Sequence, residues 1–140
     1  MKDFKALIYR SSSVNALAIE KMSPIFHNPI PNHMEELQLV DCRMGATLIE
    51  QLMDSLIENR AHLRKFALVR SNHSERSFEK IVQFMDDNSL MEELDLSWSG
   101  VRPHQMLKLL KVVEQNRYLK NLDLSHNALL EDQKTELTSD

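Results

Sequence analysis

The sequence predicts an α/β repeat architecture, with a short parallel sheet on a concave face and helices on a convex face. Three observations predict it. Four segments fit an apolar-x-x-apolar-x-apolar pattern, Met34-Leu37-Leu39, Leu63-Phe66-Leu68, Met91-Leu94-Leu96 and Leu119-Leu122-Leu124, and their starts are 29, 28 and 28 residues apart. A second apolar set recurs inside the same register at helical spacing, and an asparagine recurs 25 positions after each of the first three starts.

The strands come first in each unit. A period of two over about six residues places the leucine-type side chains on one side and their neighbours on the other. Eight positions after each start stand Cys42, Ser71, Ser99 and Asn127, small or polar residues that suit a turn. Ten positions after the start, Met44, Val101 and Leu129 are apolar and His73 is not. The helices follow, with Ile49-Leu52-Met53-Leu56, Phe78-Ile81-Val82-Met85 and Met106-Leu109-Leu110-Val113 spaced as one helical face. Asn59, Asn88 and Asn116 come next, and asparagine tolerates the left-handed conformation that commonly ends a helix.

Neither a six-residue strand nor one amphipathic helix buries its apolar side alone, so successive units must stack. Strands joined by a crossover helix run parallel. The repeats occupy residues 34–130, and residues 1–33 are expected to form a degenerate N-terminal repeat or cap. In it, Phe4-Leu7-Tyr9 would be the strand and Ile19, Met22 and Phe26 one helical face, with Pro24, Pro29 and Pro31 breaking or bounding any helix. Residues 131–140 turn polar and are expected to be a C-terminal cap or tail.

The register and its residues resemble leucine-rich repeats of the ribonuclease-inhibitor type, whose period is 28 to 29 residues. Cys42 and Asn127 match that family's cysteine-or-asparagine position, whereas Ser71 and Ser99 depart from it. The resemblance implies a protein-recognition scaffold whose concave sheet and adjoining loops bind other proteins and whose repeats carry out no reaction. Two alternatives stand beside it: a substrate-recruiting or regulatory part of a larger enzyme complex, as the resemblance allows, and a fixed structural subunit of an assembly.

Composition narrows the partner. Lysine and arginine total 17 against 21 aspartate and glutamate, a formal charge of −4, which repels phosphate backbones and argues against nucleic acid. No run approaches membrane-spanning length, and the start lacks the features of a signal peptide. The single cysteine, Cys42, has no internal disulfide partner, so a reducing, cytoplasmic location is expected.

Motifs for chemistry are weak. The six histidines make no zinc-enzyme pattern, and only His33 and His62 share a repeat position. Asp123, Ser125 and His126 are adjacent in sequence, but alternation along a strand does not bring them together as a triad. Gly45 and Gly100 are too far apart for a phosphate loop. No enzyme activity and no cofactor or metal are expected.

The outward strand residues are the candidate site. They form three columns: Glu36, Lys65, Glu93 and Asn121; Gln38, Ala67, Asp95 and Asp123; Val40, Val69, Ser97 and Ser125. Glu93, Asp95 and Asp123 make an acidic patch suited to a basic protein segment. A further column past each strand holds Asp41, Arg70, Trp98 and His126, and tryptophan and arginine are residue types enriched at binding hot spots. The expected protein-binding residues are Gln38, Arg70, Glu93, Asp95, Ser97, Trp98, Asp123 and Ser125.

Overall fold

A computed structural model describes residues 5–26 and 34–127. Strands β1 (Ala6–Arg10), β2 (Glu36–Val40), β3 (Lys65–Val69), β4 (Glu93–Asp95) and β5 (Asn121–Asp123) alternate with helices α1 (Ala16–Phe26), α2 (Ala46–Glu58), α3 (Glu75–Asp87) and α4 (Pro103–Val113). The strands form one parallel sheet in chain order. Glu36 pairs with Lys65, Lys65 with Glu93 and Glu93 with Asn121, which is the register read from the repeats.

Alternation along the strands divides the sheet. Leu37, Leu39, Phe66, Leu68, Leu94 and Leu96 are buried and share one core with Ile49, Leu52, Met53 and Leu56 of α2 and Phe78, Ile81 and Met85 of α3. The helices therefore cover one side of the sheet, and the other side carries the polar columns. Phe66 and Phe84 meet edge to face at 5.6 Å within this core.

Neighbouring helices pair through polar and charged side chains one turn apart. Glu50 and Asp54 of α2 meet Arg76 and Lys80 of α3, and Glu75 and Glu79 of α3 meet His104 and Lys108 of α4. Such exposed pairs are worth about 0.2–1 kcal/mol each, so they order the helices more than they stabilise them. Local signals start the helices: Ser74 caps α3 by accepting from the Ser77 amide at 3.1 Å, and Pro103 opens α4, where a missing amide costs nothing.

Two expectations need correction. Pro24 does not bound α1, which runs through it to Phe26. The hydrogen bond it removes would have ended on the carbonyl of Glu20; both residues are exposed, and water can take the vacant acceptor. The asparagines Asn59 and Asn88 are not left-handed, with φ of −85° and −110°. Their side chains act instead: Asn88 Nδ2 donates to the carbonyl of Leu63, one strand start back, and Asn59 Nδ2 donates to Ser55 O and Ser23 Oγ. Phe4, Pro29, Pro31, His33, Leu129 and the 131–140 tail lie outside the described residues.

His73 is the one polar residue in its otherwise apolar column. Its ring packs edge to face on Phe78 at 5.8 Å, and both ring nitrogens are buried without a partner. Burial pushes its pKa down to about 4, because the charged imidazolium would lose its hydration. The unfolded chain then binds the proton first as pH falls below about 6.5, so stability drops progressively from there towards pH 4. Between pH 7.5 and pH 5 this amounts to about 2 kcal/mol. Urea unfolding at the two pH values is expected to show that loss in the wild type and to lack it in His73→Met, which restores an apolar side chain to the column.

Candidate protein-binding face

The uncovered side of the sheet is built from the outward strand residues. Ala6, Glu36, Lys65, Glu93 and Asn121 form one row across five strands, and Ile8, Gln38, Ala67, Asp95 and Asp123 the next. Ala67 is the smallest side chain among the residues around it on β2 to β5, and a shallow depression of about 500 Å³ opens over it. Gln38, Lys65, Glu93, Asp95, Asn121 and Asp123 line it. Five strands about 4.8 Å apart give a ledge roughly 20 Å wide.

The three acids are not equivalent. Glu93 is neutralised within the sheet, with Lys65 Nζ at 3.5 Å and Asn121 Nδ2 donating to it at 3.1 Å. Asp95 and Asp123 have no ion pair among the described residues. Each instead accepts a hydrogen bond at 2.9 Å from the amide two residues on, Ser97 and Ser125 respectively. These short loops fix both carboxylates beside one another in paired strands. The Ser125 hydroxyl also donates to Asp123 at 2.6 Å; this bond, the Ser125 amide and nearby His126 hold the Asp123 carboxyl below the usual carboxylate range. The negative charge here thus persists under mildly acidic conditions.

Immediately past the strands the backbone turns left-handed in every unit: Ser11, Asp41, Arg70, Trp98 and His126 have φ between 52° and 60°. The amides of these turns still extend the parallel ladder, as Trp98 N to Ser125 O at 3.1 Å shows. Left-handed backbone is disfavoured for such side chains, and its repetition fixes where each one points. Trp98 and His126 stack at 4.1 Å with 12° between their planes, and the Arg70 guanidinium lies 4.9 Å from the indole centre. Arg70, Trp98 and His126 form one stacked rim beside the depression, with Trp98 48% exposed.

Of the expected site residues, Gln38, Glu93, Asp95 and Asp123 line the depression, while Arg70 and Trp98 form the rim. Ser97 and Ser125 diverge. Ser97 is buried, and its amide serves Asp95; Ser125 is exposed and bound to Asp123. The Ser125 hydroxyl points to an aspartate and His126 to an indole, which is not the arrangement that activates a serine nucleophile. His126 belongs with the site although only its column position signalled it. Lys65 matters as the residue that cancels Glu93.

Beneath the rim, the turn column is joined by side chains. The Ser71 amide donates to Ser99 Oγ, and the Ser99 amide donates to Asn127 Oδ1 at 2.7 Å. Asn127 also accepts from the Val101 amide and donates to the carbonyls of Leu96 and Leu124. Cys42 Sγ lies 3.5 Å from the carbonyls of Tyr9 and Val40, and burial pushes its thiol pKa up, away from the reactive thiolate.

A family model described as Leucine Rich repeat matches residues 115–133. The matched stretch contains β5 and the Asn127 turn, and it supports a leucine-rich-repeat relationship for a chain whose fold alternates strand and helix about a parallel sheet. Leucine-rich-repeat domains generally mediate protein–protein interaction and are typically non-catalytic. No curated protein matches the sequence. No helix among the described residues is long and apolar enough to cross a membrane.

Proposed function

We propose that this chain is a non-catalytic interaction module, a leucine-rich-repeat solenoid of the ribonuclease-inhibitor type acting in the cytoplasm. In this reading the open sheet is the concave face, and it binds a basic segment of a protein partner. The observation that carries it is the pairing of Asp95 with Asp123, both pinned by amides and without an ion pair among the described residues, beside the depression over Ala67. A lysine or arginine side chain fits that depression, and the Arg70–Trp98–His126 rim offers large, rigid contact area next to it. The ledge is small, so the interface belongs at the low end of the standard size range.

Selection of a random peptide display library on the immobilised chain tests the reading. Wild-type protein is expected to enrich segments with clustered lysine or arginine, and Asp95→Lys/Asp123→Lys protein to lose them. Equal enrichment on both would place binding elsewhere.

A further inference from the structure

The turn that leads from α2 into β3 differs from its counterparts. Three residues separate Asn59 from Leu63, whereas two separate Asn88 from Met91 and Asn116 from Leu119. In the longer turn Arg60 stands just past the helix cap with φ of 52°, a place usually filled by glycine because a side chain is disfavoured there. Arg60 N donates to Ile57 O and Ala61 N to Leu56 O, so the helix it leaves holds the turn in place. Ser89, Leu90, Arg117 and Tyr118 of the shorter turns are not left-handed. A cavity of about 290 Å³ opens at the longer turn, at the edge where the strands begin and away from the Trp98 rim. Buried Leu56, Ala61 and Phe84 and half-buried Ile57 give it an apolar lining. Three polar residues share it: Arg60, His62 and, from the end of α3, Asp87. Arg60 and Asp87 are exposed, and neither has an ion pair among the described residues. His62 Nδ1 is buried with no hydrogen-bond partner.

We propose that this cavity binds a small zwitterion, an α-amino acid with an aliphatic side chain. One cation and one anion from different elements, over an apolar lining, complement a molecule that carries both charges close together beside an apolar group. The planar Arg60 guanidinium takes the carboxylate, His62 Nδ1 donates to the same group, and Asp87 takes the ammonium. The aliphatic chain rests against Ile57 and Phe84. A ligand with only a negative charge meets the Asp87 carboxylate, and one with only a positive charge meets Arg60, so each half of the pair rejects what the other attracts. The volume lies at the low end for ligand pockets, which suits a single amino acid. The left-handed backbone at Arg60 is a local strain kept where it presents the guanidinium to the cavity.

Titration of L-leucine into the isotope-labelled full chain, followed by amide NMR signals, tests the proposal. Ala61, His62 and Asp87 are expected to shift saturably in the millimolar range while the α4 amides stay in place. Leucinamide, which lacks the carboxylate, and N-acetyl-leucine, which lacks the ammonium, should each bind at least about tenfold more weakly, because a hydrogen bond to a charged group is worth that much or more. Asp87→Asn should weaken leucine binding to the same degree. Arg60→Gly should also weaken it, yet raise the urea midpoint, since glycine fits the left-handed turn; a purely structural arginine would not separate the two readouts. The absence of a saturable shift with leucine would overturn the proposal. So would equal affinity for leucine and N-acetyl-leucine, which would make the cavity a carboxylate site only, or unchanged leucine affinity in both variants.

Discussion

Phe66→Ala is expected to lower unfolding free energy by about 3–5 kcal/mol, the range for removing a buried phenylalanine. Phe66 lies in β3, the middle strand, 1% exposed, with its ring against Phe84 of α3. Truncation removes the transfer energy and the edge-to-face contact, and it leaves a cavity between sheet and helix that neighbouring strands cannot close without giving up their ladder. In a repeat architecture each unit is held by its neighbours, so a defect in the middle uncouples both sides. Urea unfolding followed by circular dichroism measures the loss. Leu17→Ala, at an exposed position of α1, should change stability by about 0.5 kcal/mol or less and serves as the comparison.

Asn127→Ala should cost about 2–4 kcal/mol, from two buried amides and two carbonyls deprived of their partner. The amides of Ser99 and Val101 have no second acceptor of this kind, and both lie under the turn that carries Trp98. The same unfolding measurement reads the loss. Asn127→Ser should recover part of it, because Ser99 fills the equivalent place in the preceding unit, accepting from Ser71 N and donating to Leu68 O. A hydroxyl reaches one neighbouring amide where the asparagine reaches two, and the recovery is therefore incomplete. Because Trp98 sits on this turn, Asn127→Ala should also change the indole emission before global unfolding.

Strand order, register and the buried columns were legible because side-chain alternation and helical spacing repeat at 28 to 29 residues, and agreement between repeats replaces evidence from any one. What the register could not show is what a side chain does at its place. Asn59 and Asn88 suited a left-handed turn by propensity, yet their amides were worth more as bonds to neighbouring backbone and side chains. Pro24 reads as a breaker, but its exposed position, with Glu20 also exposed one turn back, tolerates it. Glu93 counted as one of three acids until the paired strands put Lys65 beside it. Trp98 was visible as a lone exposed tryptophan; that its faces are occupied by Arg70 and His126 follows from left-handed turns at ordinary residues, which no local signal announces. The stack makes the indole edge, not its face, the surface a partner meets.

That geometry also supplies the most direct test of the proposed binding face, since Trp98 is the only tryptophan and stands at the rim of the depression. A lysine- or arginine-bearing peptide recovered by display selection should be titrated into the chain while indole emission is followed. A saturable change in the wild type, weakened at least tenfold by Asp95→Lys/Asp123→Lys and reduced by added salt, is the predicted result. Binding of equal affinity in the charge-reversed protein, with no change at Trp98, would contradict it.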